Sequence, residues 1–258
     1  MAFDALKAAR YVAEAHARRA AYVNLPADIA PATLDEAYSA QEALAELWQP
    51  LFGPVAGLKI ATTTKVMQAL MGIDHPCGGI IFERRVSASP AAIAKSGFLS
   101  LVVECELAVR LSQDLPASGA PYTRDGVRAA IGEVMAAFEL IEDRNAVYKE
   151  SRVLSLIADN AWNGGIVLGP PMELPSAFEL DGRNGTLTID GTAHKSGRTD
   201  DPLGALAWVA NLAVERARPM TRGMVVITGS VIATLPIALG QTFEFAIDGV
   251  GATRMTAV

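Results

Sequence analysis

The chain has 258 residues, 51% of them hydrophobic and 19% charged, with a net charge of −6; this suits one large core, or one domain with a small lobe. No apolar run reaches the roughly 18 residues that a membrane span needs, and the opening residues show no basic segment followed by a long apolar stretch, so a cytoplasmic protein without a membrane partner is expected. Basic residues are scattered rather than banded, which argues against nucleic acid as a partner, while an anionic small molecule stays open because a local site can oppose the global sign.

Residues 4 to 22 read as an amphipathic helix with Lys7, Arg10, Glu14 and Arg18 on one polar stripe. A second helix starts near Thr33, where Thr33-Leu34-Asp35-Glu36 is a capping-box pattern, and it is expected to stop at Pro50. From Gly53 onward the character changes to Gly, Pro and short β-like runs. The expected division is therefore a helical N-terminal lobe over residues 1–52 and a β-rich domain over residues 53–258. Strands are predicted over Val102–Leu111, Val134–Ile141, Gly165–Leu168, Leu187–Ile189, Val225–Thr228 and Thr242–Ile247. Asp190-Gly191 and Asp248-Gly249 are hairpin turn signals. A helix is predicted from Asp201 to Arg216, opened by Asp201-Pro202. Helices first, then strands with helices interspersed, point to an α+β fold rather than a regular βαβ alternation.

Cys105 falls in the apolar register of a predicted strand and reads as a core thiol, and Cys77 falls in a Pro/Gly loop. His16, His75 and His194 show no ligand spacing, which argues against zinc.

The strand over 102–111 puts Val103, Cys105, Leu107, Val109 and Leu111 on one face and Glu104 and Glu106 on the other. Side chains two apart on a strand stand roughly 6.5–7 Å from each other at the backbone. The two glutamates can thus converge on one cation, or form a solvated face. In Val134–Ile141, Glu139 shares a face with Met135, Ala137 and Ile141, while Val134, Ala136, Phe138 and Leu140 make the other face apolar as well. A carboxylate there needs a partner, either a salt bridge to Arg144 or Lys149 or a metal ion. Three carboxylates from two strands would form a hard oxygen site of the kind that suits Mg²⁺ or Mn²⁺.

Gly57-Leu58-Lys59-Ile60, Glu104-x-Glu106, Phe138-Glu139-Leu140-Ile141-x-x-Arg144, Asp159-Asn160-Ala161 and Pro202-Leu203-x-Ala205-Leu206-Ala207-Trp208 occur in this order. Together they resemble the bacterial 2-oxopent-4-enoate (2-hydroxypenta-2,4-dienoate) hydratases and 4-oxalocrotonate decarboxylases of the fumarylacetoacetate hydrolase superfamily. The resemblance implies a mixed β-sandwich roll with a helical N-terminal lobe, a homo-oligomer, and a hydratase acting on a small 2-oxo or 2-hydroxydienoic acid from aromatic catabolism. It implies that Glu104, Glu106 and Glu139 hold the metal, that Lys59 is catalytic beside the bound 2-oxo acid, and that the Asp159-Asn160 loop lies at the substrate. A 2-oxo acid decarboxylase, a C–C hydrolase, or a catalytically silent paralogue serving as a structural partner are the alternatives.

From the residues alone, Lys59 between Leu58 and Ile60 is either a snorkelling surface lysine or a buried one whose pKa burial would lower, making it a proton shuttle. Asp159-Asn160 is either substrate contact or a turn entering a strand. Ser230, in Thr228-Gly229-Ser230, either offers a hydroxyl to the substrate carboxylate or belongs to a strand-end turn. Trp162 either lines the substrate pocket or packs in the core. The chain also departs from its relatives. It has Pro76-Cys77-Gly78-Gly79 where hydratases usually carry Pro-Asp-Phe-Gly, Glu142-Asp143-Arg144 for Asp-Ser-Arg, and Trp162-Asn163 where small or hydroxyl residues are usual.

Overall fold

The computed structural model describes residues 2–258. Helix α1 spans Ala5–Ala17, capped by the Asp4 carboxylate, which accepts from the Lys7 N–H. It ends five residues before the sequence limit, where Arg19 takes a left-handed φ of 54°. Helix α2 covers Leu34–Phe52. Thr33 Oγ1 accepts from the Glu36 N–H, and Glu36 reaches back to the Ala32 N–H, one residue upstream of the reciprocal pattern. Pro50 does not stop the helix, which runs on to Phe52 and closes on Gly53 at φ 82°. The two helices bury Ala8, Val12, Leu44 and Trp48 in one apolar cluster with Ile80 and Phe82 of the sheet.

Strand β1 (Val55–Ala61), helix α3 (Lys65–Met71) and strand β2 (Cys77–Phe82) follow. The Pro/Gly segment read as a loop at Cys77 is therefore the start of a fully buried strand. Its glycines hide the period-2 signal and admit close neighbours instead. After the short strands β3 (Val86–Ala88) and β4 (Ala91–Ile93) come β5 (Leu101–Leu111), helix α4 (Arg124–Arg128) and β6 (Ile131–Glu142). Helix α5 (Val153–Ala158) leads into β7 (Asn163–Leu168) and the two-residue β8 (Met172–Glu173). Strands β9 (Asn184–Ile189) and β10 (Thr192–Arg198) turn at Asp190-Gly191. Helix α6 (Pro202–Glu215) has Asp201 as its cap, as the sequence indicates. Strand β11 (Val225–Pro236) continues eight residues beyond the predicted end, and β12 (Thr242–Ile247) and β13 (Gly251–Ala257) pair across Asp248-Gly249.

These strands form two sheets, an eight-stranded one in the order β2-β1-β11-β5-β6-β7-β3 with β8 beside β6, and a five-stranded one in the order β10-β9-β12-β13-β4. The predicted alternation on β5 and β6 is the interface between them. Val103, Cys105, Leu107, Val134, Ala136 and Phe138 join Leu187, Phe243, Phe245 and Met255 of the second sheet in the largest core, with Phe138 6.4 and 6.2 Å from the rings of Phe243 and Phe245. Full burial of each such side chain is worth roughly 1.5–3 kcal/mol. Met135 and Ala137 point the other way, into a smaller cluster with Ile81, Ile166 and Ile227 inside the curl of the large sheet. Both faces of β6 are thus apolar, and Glu139 lies on the inner one.

The large sheet curls strongly. Strand β1 lies three positions from β6, which in a flat sheet would be roughly 14 Å, yet Lys59 on β1 reaches Glu139 on β6 at 2.9 Å. Two contacts help to fix the curl. Gly57 pairs with Val225 across the parallel β1–β11 ladder so closely that a Cβ there would stand 1.9 Å from the Val225 carbonyl oxygen. The Asn160 side chain accepts from the Ile80 N–H at 2.7 Å and donates to the Ile80 carbonyl at 2.9 Å, tying the approach to β7 onto β2.

Gly57→Ala should destabilise the fold by at least about 1–3 kcal/mol, because backbone rather than a flexible side chain must move to admit the methyl group. Urea unfolding checks this, and an unchanged midpoint would show that the β1–β11 contact relaxes freely.

Candidate metal and substrate site

The pairing of β5 with β6 places Glu104 directly opposite Glu139 and Glu106 opposite Ala137. One oxygen of each glutamate lies within 4.8 Å of one from each of the others. Glu106 and Glu139 have no exposed surface and Glu104 is only partly exposed, so the pair on β5 is not a solvated face. Each carboxylate is tied at one oxygen. Thr234 Oγ1 donates to Glu104 Oε1. The Gly229 N–H donates to Glu106 Oε2 at 2.6 Å. Asn163 Nδ2 donates to Glu139 Oε1 at 2.8 Å, the oxygen that also meets Lys59 Nζ at 2.9 Å. Glu106 Oε1 and Glu139 Oε2 are buried with no hydrogen-bond partner.

Three carboxylates with one ammonium among them leave uncompensated buried charge, which is costly. Burial, reinforced by the charge of Glu139, raises the Glu104 pKa, and burial with repulsion from Glu104 and Glu139 carries Glu106 well above the usual carboxylate range. A hard divalent cation fits this donor set, because it would accept the two unpartnered oxygens and cancel the repulsion. Lys59 is 3% exposed, so it is the buried lysine and not the snorkelling one. Its burial opposes the charge, as the sequence reading anticipated, but the carboxylates of Glu139, Glu104 and Glu106 outweigh burial and set its pKa above the ordinary lysine value. Lys59 is held as an ammonium. Glu139 pairs with neither Arg144 nor Lys149. Arg144 instead binds the carboxylate of Asp159.

A cavity of about 290 Å³ opens onto Lys59 and Glu104, with Ser230, Thr234 and Trp162 in its wall. Asp159 and Asn160 do not line it. The Asp159 carboxylate holds Arg144 and lies 2.6 Å from His16 Nε2, and Asn160 is engaged with Ile80 as described. Asn160, Ala161 and Trp162 all take left-handed φ values of 51°, 45° and 57°. Strain of this kind costs about 1–3 kcal/mol per residue and persists only where the surroundings enforce it. Here those paired side chains enforce it, and the turn presents Trp162 to the cavity. Trp162 is also packed, edge-on to Tyr22 at 5.0 Å and tilted against Tyr148 at 5.2 Å. Trp162 thus both lines this cavity and packs against its aromatic neighbours.

Ser230 does not end a strand. It follows a bulge in β11, where the register with β5 shifts between Ile227 and Ser230 and Gly229 takes φ 122°. The bulge turns the Gly229 N–H onto Glu106. The Ser230 hydroxyl donates to the Ile232 carbonyl, and Ser230 borders the cavity. Gly229, Thr234 and Asn163 were missed by sequence reasoning. The only signal for Gly229 is a glycine inside an apolar run, which marks a bulge as readily as a strand end.

Glu106→Gln should weaken Mg²⁺ or Mn²⁺ binding by more than the roughly 10–100-fold that losing an outer partner costs, while the metal-free protein keeps or gains stability as repulsion is relieved. Because protons compete with the cation for carboxylates of raised pKa, the wild-type affinity should rise with pH above the ordinary glutamate range. Calorimetric titration checks both, and an unchanged affinity in the variant would remove Glu106 from the site.

The family model for the fumarylacetoacetate (FAA) hydrolase C-terminal region matches residues 80–258. Among curated proteins the chain is 29% identical over 233 residues to 2-keto-4-pentenoate hydratase 1 of Dechloromonas aromatica (strain RCB), covering 86% of this chain and 85% of that one. It is 28% identical over 225 residues to the 2-hydroxyhexa-2,4-dienoate hydratase of Comamonas testosteroni, covering 85% and 84%. Among solved structures it is similar to the 4-oxalocrotonate decarboxylase of Pseudomonas putida G7 complexed with magnesium and adipate, with a TM-score of 0.90, 22% identity and coverage of 98% and 97%. At that identity the likeness establishes the fold, the α+β class expected from the element order and the roll that the resemblance implies. By the match over its β-rich part, this chain belongs to the fumarylacetoacetate hydrolase family.

Proposed function

We propose that the protein is a divalent-metal-dependent hydratase acting on a 2-hydroxydienoic acid, or its 2-oxo tautomer, from the breakdown of aromatic compounds. One observation carries this reading: two buried, unpartnered glutamate oxygens and a third carboxylate converge beside a buried ammonium at the foot of a cavity. The names of the relatives matched by sequence support the hydratase outcome over others of the same family.

Glu104, Glu106 and Glu139 would hold Mg²⁺ or Mn²⁺, which when bound supplies the Lewis acidity that favours the enolate form of a 2-oxo acid. Lys59, already an ammonium, offsets negative charge on the acid's head and carries a proton that it can lend to the reacting oxygen or carbon. Asn163 holds Glu139 in place, and Thr234 does the same for Glu104. Ser230 accepts a hydrogen bond from a substrate or water hydroxyl through its free lone pairs. Trp162, Asp159 and Asn160 act at different distances. Trp162 touches the substrate, while Asp159 and Asn160 position the turn that carries it.

The decarboxylase likeness in fold keeps CO₂ release as the second outcome to be measured. With Mg²⁺ or Mn²⁺ present, 2-hydroxypenta-2,4-dienoate should lose its dienol absorbance without CO₂ release. CO₂ evolved from the corresponding dienedioate would make the protein a decarboxylase, and no metal-dependent change on either would make it a silent paralogue. Lys59→Met should lower kcat roughly 10²–10⁴-fold, the range of a lost acid–base group, with metal affinity retained or tightened because the ammonium no longer competes for Glu139. Turnover at the wild-type rate would leave Lys59 as a packing residue.

A further inference from the structure

The cavity has a charged end and an uncharged end. Among the described residues its only charged lining groups are Lys59 and Glu104, both at the proposed metal site. The wall beyond these groups is made largely by Met67 and Met71 of α3, Ile141 of β6, Leu156 of α5, and Ala161 and Trp162 of the strained turn, with Thr62, Thr63, Thr64 and Tyr148 beside them. Thr63 adds a neutral hydroxyl to the wall, and the other hydroxyls away from the glutamates are engaged. Tyr148 donates its hydroxyl to Asp143, Thr62 donates to the Ala61 carbonyl, and Thr64 Oγ1 caps α3. The Trp162 Nε1–H has no acceptor, but it is a neutral donor. Lys65, the next cation along the chain, lines a neighbouring cleft that shares Thr63 and Thr64 with this cavity, where it sits with Asp125, Asp200 and Asp201 and donates to Gln68 at 3.0 Å. Arg144, behind the turn, is committed to Asp159.

We infer that the far wall selects acids whose distal end is uncharged and apolar, alkyl or aryl, and rejects a terminal carboxylate. This rests on the reading that the 2-oxo acid head sits at the glutamates. A second carboxylate pushed along the cavity would lose its hydration and meet no cation. An apolar tail would meet two flexible methionines and a flat indole, surfaces that adapt to alkyl chains and rings. The space allows it, since an apolar cavity of about 150 Å³ holds a benzene ring and this one measures about 290 Å³ including the head region.

Stable 2-oxo acids separate the tail from the chemistry. The protein loaded with Mn²⁺ is titrated calorimetrically with 2-oxo-5-phenylpentanoate and with 2-oxoadipate, and the titrations are repeated without metal. The phenyl acid should bind at least about tenfold tighter, the scale on which an apolar pocket discriminates, with binding by both acids dependent on metal. In Met67→Lys the order should reverse, because the wall then carries a cation. Metal-dependent binding of 2-oxoadipate as tight as that of the phenyl acid in the wild type overturns the tail assignment while leaving the proposed chemistry standing. Binding of both acids without any metal dependence overturns the two together.

Discussion

Three carboxylates meet within 4.8 Å of one another on the buried inner face of a curled sheet, and a single ammonium faces them. Much of the surrounding structure follows from that imbalance. Two adjacent antiparallel strands bring Glu104 and Glu139 into direct register, so their separation is set by the ladder and cannot relax. Lys59 must cross from the third strand away, which only a strongly curled sheet allows. Gly57 and Asn160 hold the curl, one by permitting close backbone approach and the other by pinning β2 to the turn before β7. One oxygen of each glutamate is fixed by Gly229, Thr234 or Asn163, and Glu106 Oε1 and Glu139 Oε2 are left buried without a partner.

The site divides between rigid and adaptable parts. Strands carry the charged groups, held in place by the β5–β6 register and by bonds from Gly229, Thr234 and Asn163. The cavity wall beside them comes in part from a short helix and a strained turn, which contribute two methionines and an indole. Asp159, Arg144 and His16 belong to the support of that turn. The Arg144–Asp159 ion pair and the hydrogen bond between Asp159 and His16 link helix α1 to the loop, so the N-terminal helices bear on the cavity without lining it.

Much of this was legible in the sequence. The alternation on Val102–Leu111 and Val134–Ile141 gave the core faces, and an acidic residue on a strand apolar on both sides marked Glu139 as buried and in need of a partner. What periodicity could not show was the partner, because Lys59 is 80 residues away and its approach depends on the curl. The same limit hid the Lys59 pKa. Burial argues for a lowered value, and only the proximity of three carboxylates reverses it. Strand β2 was read as a loop since Cys77-Gly78-Gly79 lacks a branched alternation, and its glycines answer to the packing of Lys59 and Leu212 rather than to a turn. Strand β10 escaped notice because Thr192–Arg198 is an exposed edge with no apolar face. Strand β11 was cut short at Gly229, where a bulge and a strand end look alike. The Asp159-Asn160 motif was visible, but which way its side chains turn is a matter of tertiary contact.

Anomalous diffraction from crystals soaked in Mn²⁺ tests the central claim most directly. A single strong peak should lie among Glu104, Glu106 and Glu139, with the two oxygens that lack hydrogen-bond partners turned onto it. A peak located elsewhere, or a cluster that stays metal-free with Lys59 as its only counter-charge at saturating Mn²⁺, would contradict the assignment of these glutamates as the metal site.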